Sequence, residues 1–260
     1  MRSRLLKPLV GILATSSLLT GCSTEDISGL GFEKGLSSVN DHSLSLWQGA
    51  WITAAIVGLI TLALIMWTVI FHRKKDDAFP KQTAHNNFVE VTFTIIPFII
   101  VAVLFYFTAV KESEIVKVSP DSAVAHQIEV NGIQWSWQFI YNDAGDFPEA
   151  TVTGTPAQPP TLYLPQGEKV KFTINSNDVV HGFWIPAFMI QMQNLPGVEN
   201  HLEFTANKLG TYPGRCNILC GRNHSQMLFT VKVVTPAEYQ NYLDSLKALN
   251  QTELDKAAIA

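Results

Sequence analysis

The sequence is short of charge. Lys and Arg number 18 and Asp and Glu 22 among 260 residues, 15 % in all. There is no basic block and the sequence pI is near 6.0, so phosphate contacts have no source and nucleic acid is excluded as a partner. Cysteine is scarce as well, with three in the chain. None of them sits in a C-x-x-C-H pattern, so this chain attaches no haem covalently. There is also no internal repeat and no low-complexity block. Apolar residues fill the composition instead, at 47 %. Such a skew points to a bilayer.

The apolar residues are grouped. Arg2, Arg4 and Lys7 form a basic head, and residues 9–19 form an apolar run too short to span. This reads as an export signal. It ends in Leu19-Thr20-Gly21-Cys22, which resembles the bacterial lipoprotein cleavage box. That resemblance implies that residues 1–21 are a signal peptide, Cys22 the lipidated residue and residues 22–46 an extracytoplasmic segment, the alternative being an ordinary signal or an uncleaved helix with an incidental Cys. Residues 51–71 carry no charge, and residues 88–110 carry only Glu90. Each supplies the ~20 residues that a hydrocarbon core of ~30 Å demands. The stretch 47–111 is therefore expected to be a transmembrane helix hairpin. Its loop holds Arg73, Lys74, Lys75 and Lys81 against Asp76 and Asp77. Positive loops stay cytoplasmic, so both flanking segments face the extracytoplasmic side of the cell membrane.

Residues 112–260 have another texture. Pro, Gly, Asn and Thr are spread through them, and short strand patterns recur. Residues 161–164 precede a turn at 165–168. Residues 169–174 alternate polar and apolar, and residues 201–205 repeat that period. Residues 227–234 are mostly apolar and β-branched. Many short strands with turns between them predict an all-β sandwich. Residues 236–249 show helical spacing at Tyr239, Tyr242, Leu243 and Leu246, with Pro236 in the first turn. A short C-terminal helix is expected there.

One run carries chemistry. Cys216, Cys220, His224 and Met227 fall within a single loop before a predicted strand. Thiolate, imidazole and thioether together suit copper. Magnesium and calcium prefer oxygen, and zinc rarely uses Met. A mononuclear blue-copper site needs one Cys, two His and a weak axial Met. This loop has one Cys more, and two thiolates are able to bridge two copper ions. The second His must come from elsewhere, and His181, directly after a predicted strand, is the candidate. The competing reading is a Cys216–Cys220 disulfide, the ordinary fate of a close pair in an oxidising compartment. So short a ring would add only about 2 kcal/mol, and it gives no reason for His224 and Met227 to follow.

With these residues in place, the sequence resembles subunit 2 of cytochrome c oxidase in a bacterial lipoprotein form. The resemblance runs from about Trp47 to Val234. It implies a cupredoxin-like Greek-key sandwich on a two-helix transmembrane hairpin. It implies a dinuclear copper A centre that accepts electrons from cytochrome c and passes them to haem in subunit 1. There oxygen is reduced to water and protons are pumped. By resemblance, Cys216 and Cys220 are bridging thiolates, His181 and His224 terminal ligands, Met227 an axial ligand, and the Ile218 main-chain carbonyl the other. The family usually has Glu at the position of Ile218, where it joins an interface magnesium, and Lys and Asp at those of Gln191 and Gln193. These departures count against that magnesium site, and no magnesium ligand is assigned.

Two further residues have two readings each. In residues 134–141, Trp135 matches the family's Trp that receives the electron from cytochrome c. An exposed flat ring suits that transient interface. Alternating aromatics also simply fill a strand face. Glu90 matches a Glu at the mouth of a proton path, yet a carboxylate at a span's end also snorkels cheaply. The expected partners are subunit 1 and other oxidase subunits, a separate cytochrome c (soluble or tethered) and the lipid bilayer. Asp143, Asp146, Glu149 and Asp178 are candidate docking acids, although scattered acids are usually just solvated. The rivals are a quinol oxidase subunit 2, which has lost the copper ligands, a membrane-bound copper-delivery protein, and a disulfide-bonded structural module.

Overall fold

The computed structural model describes residues 29, 31–74, 76, 77, 79, 82–142 and 150–259, with side chains as far as residue 249. The signal segment, Cys22, Asp143, Asp146 and Glu149 lie outside the described residues.

Two long helices precede the strands, α1 (Asn40–Phe71) and α2 (Asn87–Ile115). Each is apolar all round, and none of the apolar window in either is buried inside the protein. A soluble core helix would be covered, so these faces are built for hydrocarbon. Pro97 sits inside α2, which transmembrane helices tolerate. The start of α2 is capped reciprocally. The Val89 N–H donates to Asn86 Oδ1 at 3.3 Å, and the Asn86 N–H donates to Glu90 Oε1 at 3.0 Å. That places two orphan donors of the first turn.

Ten strands follow among the described residues. They are β1 (His126–Ile133), β2 (Ser136–Tyr141), β3 (Ala150–Thr153), β4 (Thr161–Pro165), β5 (Lys169–Ser176), β6 (His181–Ile185), β7 (Ile190–Asn194), β8 (Asn200–Thr205), β9 (Gly210–Cys216) and β10 (Leu228–Val234). They make two five-stranded sheets, ordered β3-β2-β1-β5-β8 and β4-β10-β9-β6-β7. β1 runs parallel to β5 and β4 parallel to β10; the other pairs are antiparallel. The chain changes sheet after β3, β4, β5, β7 and β8, so the two sheets interlock as a Greek-key sandwich. In β5 every second residue is buried, Val170, Phe172, Ile174 and Ser176. That is the period-two pattern of a strand with one face in the core.

Aromatic rings dominate the core. Phe183 of β6 stacks on Phe229 of β10 at 5.0 Å, and Trp137 of β2 meets both edge-on at 5.8 and 5.3 Å. A final helix, α3 (Pro236–Ile259), closes one side and is longer than the spacing at 236–249 predicts. Thr235 and Glu238 form its capping box, and Tyr242 stacks on Tyr163 of β4 at 3.7 Å.

Candidate metal centre

The loop from β9 to β10 is held shut at its neck. The Cys216 N–H donates to the Met227 carbonyl at 3.0 Å, and the Asn217 N–H to Gly182 of β6 at 3.3 Å. β6 lies beside β9, with Phe183 opposite Cys216. His181, the first residue of β6, is thereby set beside both ends of the loop. Two segments far apart in the chain thus converge because their strands are neighbours.

The ligand-bearing atoms are close. One nitrogen of His181 and the sulfurs of Cys216 and Cys220 lie within 4.8 Å of one another, all three residues buried. The two sulfurs are 3.8 Å apart and both cysteines are free. The structure therefore contains two thiols here and no disulfide. Cys220 Sγ is 3.6 Å from His224 Nδ1 and 3.7 Å from Met227 Sδ. The Ile218 carbonyl oxygen is 3.2 Å from Cys216 Sγ. All the residues singled out as copper ligands meet in one place.

His181 is the most constrained of them. It is fully buried, and its Nε2 lies 2.8 Å from Asp178 Oδ1. A carboxylate only accepts, so Nε2 carries the proton and Nδ1 keeps its lone pair. That Nδ1 is buried with no hydrogen-bond partner. A buried orphan nitrogen costs roughly 1–3 kcal/mol unless something occupies it. The donor set around it, two thiols and a thioether, belongs to a soft metal. The residues therefore fit copper. Carboxylate–His pairing is also the usual way a metal-binding imidazole is oriented.

The charges are arranged to match. Burial opposes ionisation of Cys216, but the neighbouring His181 imidazole and the backbone at Gly182 and Ile218 bring its pKa down to about 6. Burial and the neighbouring Cys216 charge push Cys220 up to about 12. Burial would lower the His181 pKa, but Cys216 and Asp178 outweigh it and raise it. Burial likewise opposes charge on Asp178, yet its bonds from His181, Gln134 and Val179 keep it below the ordinary carboxylate range. The metal-free site thus holds protons that a bound cation would displace.

Residues 126–234 match the family of the cytochrome C oxidase subunit II periplasmic domain, and residues 27–109 the transmembrane domain of the same subunit. A probable cytochrome c oxidase subunit 2 of Streptomyces avermitilis is 38 % identical over all of this chain and 92 % of its own length. The chain belongs to the cytochrome c oxidase subunit 2 family. The cytochrome c oxidase subunit 2 of Mycobacterium tuberculosis is 30 % identical over 98 % of this chain and 87 % of that protein. A crystal structure of the periplasmic domain of subunit II of cytochrome oxidase of Bradyrhizobium japonicum is 28 % identical. It covers 50 % of this chain and 98 % of that one, with a TM-score of 0.45. As a member of this family the chain is one subunit of an oxidase. Its fold is the cupredoxin-like sandwich on two apolar helices that the resemblance implies.

Trp135 differs from expectation in one respect. It lies in the turn between β1 and β2, and its ring is half-buried against the core rather than exposed. The strand reading of the aromatic run holds for Trp137 and Phe139, both fully buried. The Trp135 indole Nε1 donates to the Cys220 carbonyl at 3.2 Å, so the ring packs directly on the candidate metal loop. Glu90 is exposed in the first turn of α2 and makes the capping contact described above. Asp178 is bonded to His181 rather than free for docking. The Asn217 side chain donates to the Gln191 side chain. Ile218, Gln191 and Gln193 offer no carboxylate, so these residues do not fit a magnesium site.

Proposed function

We propose that this chain accepts electrons from cytochrome c at a dinuclear copper A centre and passes them to haem in subunit 1, where oxygen is reduced and protons are pumped. The observation that carries this reading is the buried, unpartnered Nδ1 of His181 beside two free thiols. Cys216, Cys220, His181, His224, Met227 and the Ile218 carbonyl would together hold the metal. Two copper ions held there would supply a one-electron relay. The protein's part is to keep the ligand geometry the same in both oxidation states, and the strand-anchored neck of the loop does that.

Trp135 is the proposed point of electron uptake, because its indole touches the Cys220 peptide on one side and reaches the surface on the other. Glu90 is the proposed mouth of a proton path only by its match to the family. Cys22 is the proposed lipid anchor on the extracytoplasmic side, and the mass of the mature N-terminus decides that claim.

The full-length chain, loaded with copper, should contain two coppers and show the spin-resonance signal of one electron shared over two equivalent metals. Trp135→Ala should keep that signal and slow electron uptake from reduced cytochrome c. One copper per chain, or a Cys216–Cys220 disulfide in the loaded protein, overturns the assignment.

A further inference from the structure

Gln134 belongs to no ligand set, yet it touches two parts of the candidate centre at once. Its backbone N–H donates to Asp178 Oδ2 at 2.6 Å, and its side-chain Nε2 donates to the Cys220 carbonyl at 2.8 Å. The other oxygen of Asp178 holds His181 Nε2. The Cys220 carbonyl also accepts the Trp135 indole. One residue therefore links the β1–β2 turn to His181 through a carboxylate and to Cys220 through a peptide oxygen. Gly221 completes the contact. Its φ is +126°, and a Cβ there would lie 3.0 Å from Trp135 Nε1 and 3.2 Å from Gln134 Nε2. The turn can rest on the Cys220–Gly221 peptide only because position 221 has no side chain.

We infer that Gln134 is a positioning residue that locks the Trp135 turn onto the Cys220 peptide and ties that contact to His181 through Asp178. The inference rests on the proposed role of Trp135. The indole in the turn is hydrogen-bonded to the loop through that carbonyl. If the Gln134 bond goes, both the ring and the Cys220 segment gain freedom. Gln134 is exposed, so replacing it leaves the core intact.

The test compares Gln134→Met, which keeps the length and removes the donor, with Gln134→Lys, which restores one. In the metal-free full chain, Cys220 should be alkylated about two- to tenfold faster in Gln134→Met, the range expected for one net hydrogen bond. Gln134→Lys should recover most of that. In the copper-loaded oxidase, Gln134→Met should slow electron uptake from cytochrome c by a similar factor, in kcat rather than KM. Trp135→Ala serves as the reference. If Trp135→Ala slows uptake and Gln134→Met changes neither alkylation nor uptake, the inference about Gln134 is wrong and the Trp135 reading stands. Faster alkylation with unchanged uptake also overturns it. If Trp135→Ala itself leaves uptake unchanged, the reading beneath it fails.

Discussion

At the scale of single residues, the centre depends on space as much as on donors. His181 has no exposure, and its ring lies against Gly132 of β1. A Cβ at position 132 would fall 2.7 Å from His181 Cδ2 and 3.0 Å from Cγ. The ring has nowhere to move, since Trp137 lies on another side at 6.3 Å between centroids and Asp178 fixes its Nε2. Gly132→Ala should therefore cost about 1–3 kcal/mol by overpacking and reduce bound copper. Metal analysis together with thermal unfolding of the variant checks both; full copper content with unchanged stability would show that the ring relaxes freely. His181 was legible in the sequence only because the Cys216–Met227 loop lacks a second imidazole. Asp178 and Gln134 were not. The contacts of Gln134 reach residues 44 and 86 positions away, which no local pattern records, and Asp178 lies only three positions from His181 in a loop, where that spacing does not by itself bring two side chains together. Asp178 looks like any surface acid until its partner is seen.

At the scale of elements, the link from α2 into the sandwich is an ion-paired clamp. The Ser119 N–H donates to Glu203 Oε2 at 2.6 Å and its hydroxyl to Oε1 at 2.9 Å. Lys169 of β5 meets Oε1 of Glu203 at 2.8 Å, and Lys171 meets Asp121 at 2.6 Å. Glu203 is 8 % exposed. Burial raises its pKa, but Lys169 and the two Ser119 bonds outweigh that and hold it below the usual 4.5. A depressed carboxylate contributes stability above its unfolded pKa and loses it as pH falls through the folded one. Glu203→Gln should thus unfold more easily at neutral pH, by about 1–2 kcal/mol given the half-exposed lysine. The gap between the two proteins should close below about pH 4.5. Thermal unfolding of both across pH 3–8 checks the sign; a gap that widens in acid would exclude this account.

The strands themselves were unevenly legible. β4, β5, β8 and β10 follow their predicted ranges closely, because each alternates or is densely apolar. β9 was missed, since it carries two glycines and Pro213 although it is the middle strand of its sheet. The structure tolerates Pro213 because β6 pairs with β9 only at Cys216 and Arg215. The missing N–H is therefore not needed on that side. β6 was missed because four of its five residues are buried, which erases the alternation.

At the scale of the whole molecule, both membrane helices are tied to the same corner of the sandwich. On the α1 side, the Ser38 N–H donates to the Thr205 carbonyl at 2.9 Å and the Thr205 N–H to Ser38 Oγ at 3.0 Å. The Asn207 N–H donates to Leu36 at 2.9 Å, and Lys208 pairs with Glu33. Leu36 and Val39 are buried in the sandwich core. On the α2 side, Ser119 holds Glu203. The contacts of both helices thus converge on residues 203–208. This segment before α1 has no periodicity to announce it in the sequence, and only its packing reveals the tether. Two short links from two helices fix a body's height and tilt over the bilayer far better than one link. The proposed electron relay requires this, because its distance to its acceptor must not wander. Leu36→Ala removes a side chain that is 3 % exposed, a change worth about 2–5 kcal/mol in a packed site. Most of that loss should fall on the tether, since the ligand loop lies on the other sheet. With spin labels on non-natural residues at the exposed positions Glu112 and Arg222, the full chain in a lipid nanodisc should show a narrow distance distribution. Leu36→Ala should broaden it while leaving the copper signal unchanged. A distribution equally narrow in both would mean that the Ser119–Glu203 clamp alone sets the orientation of the sandwich.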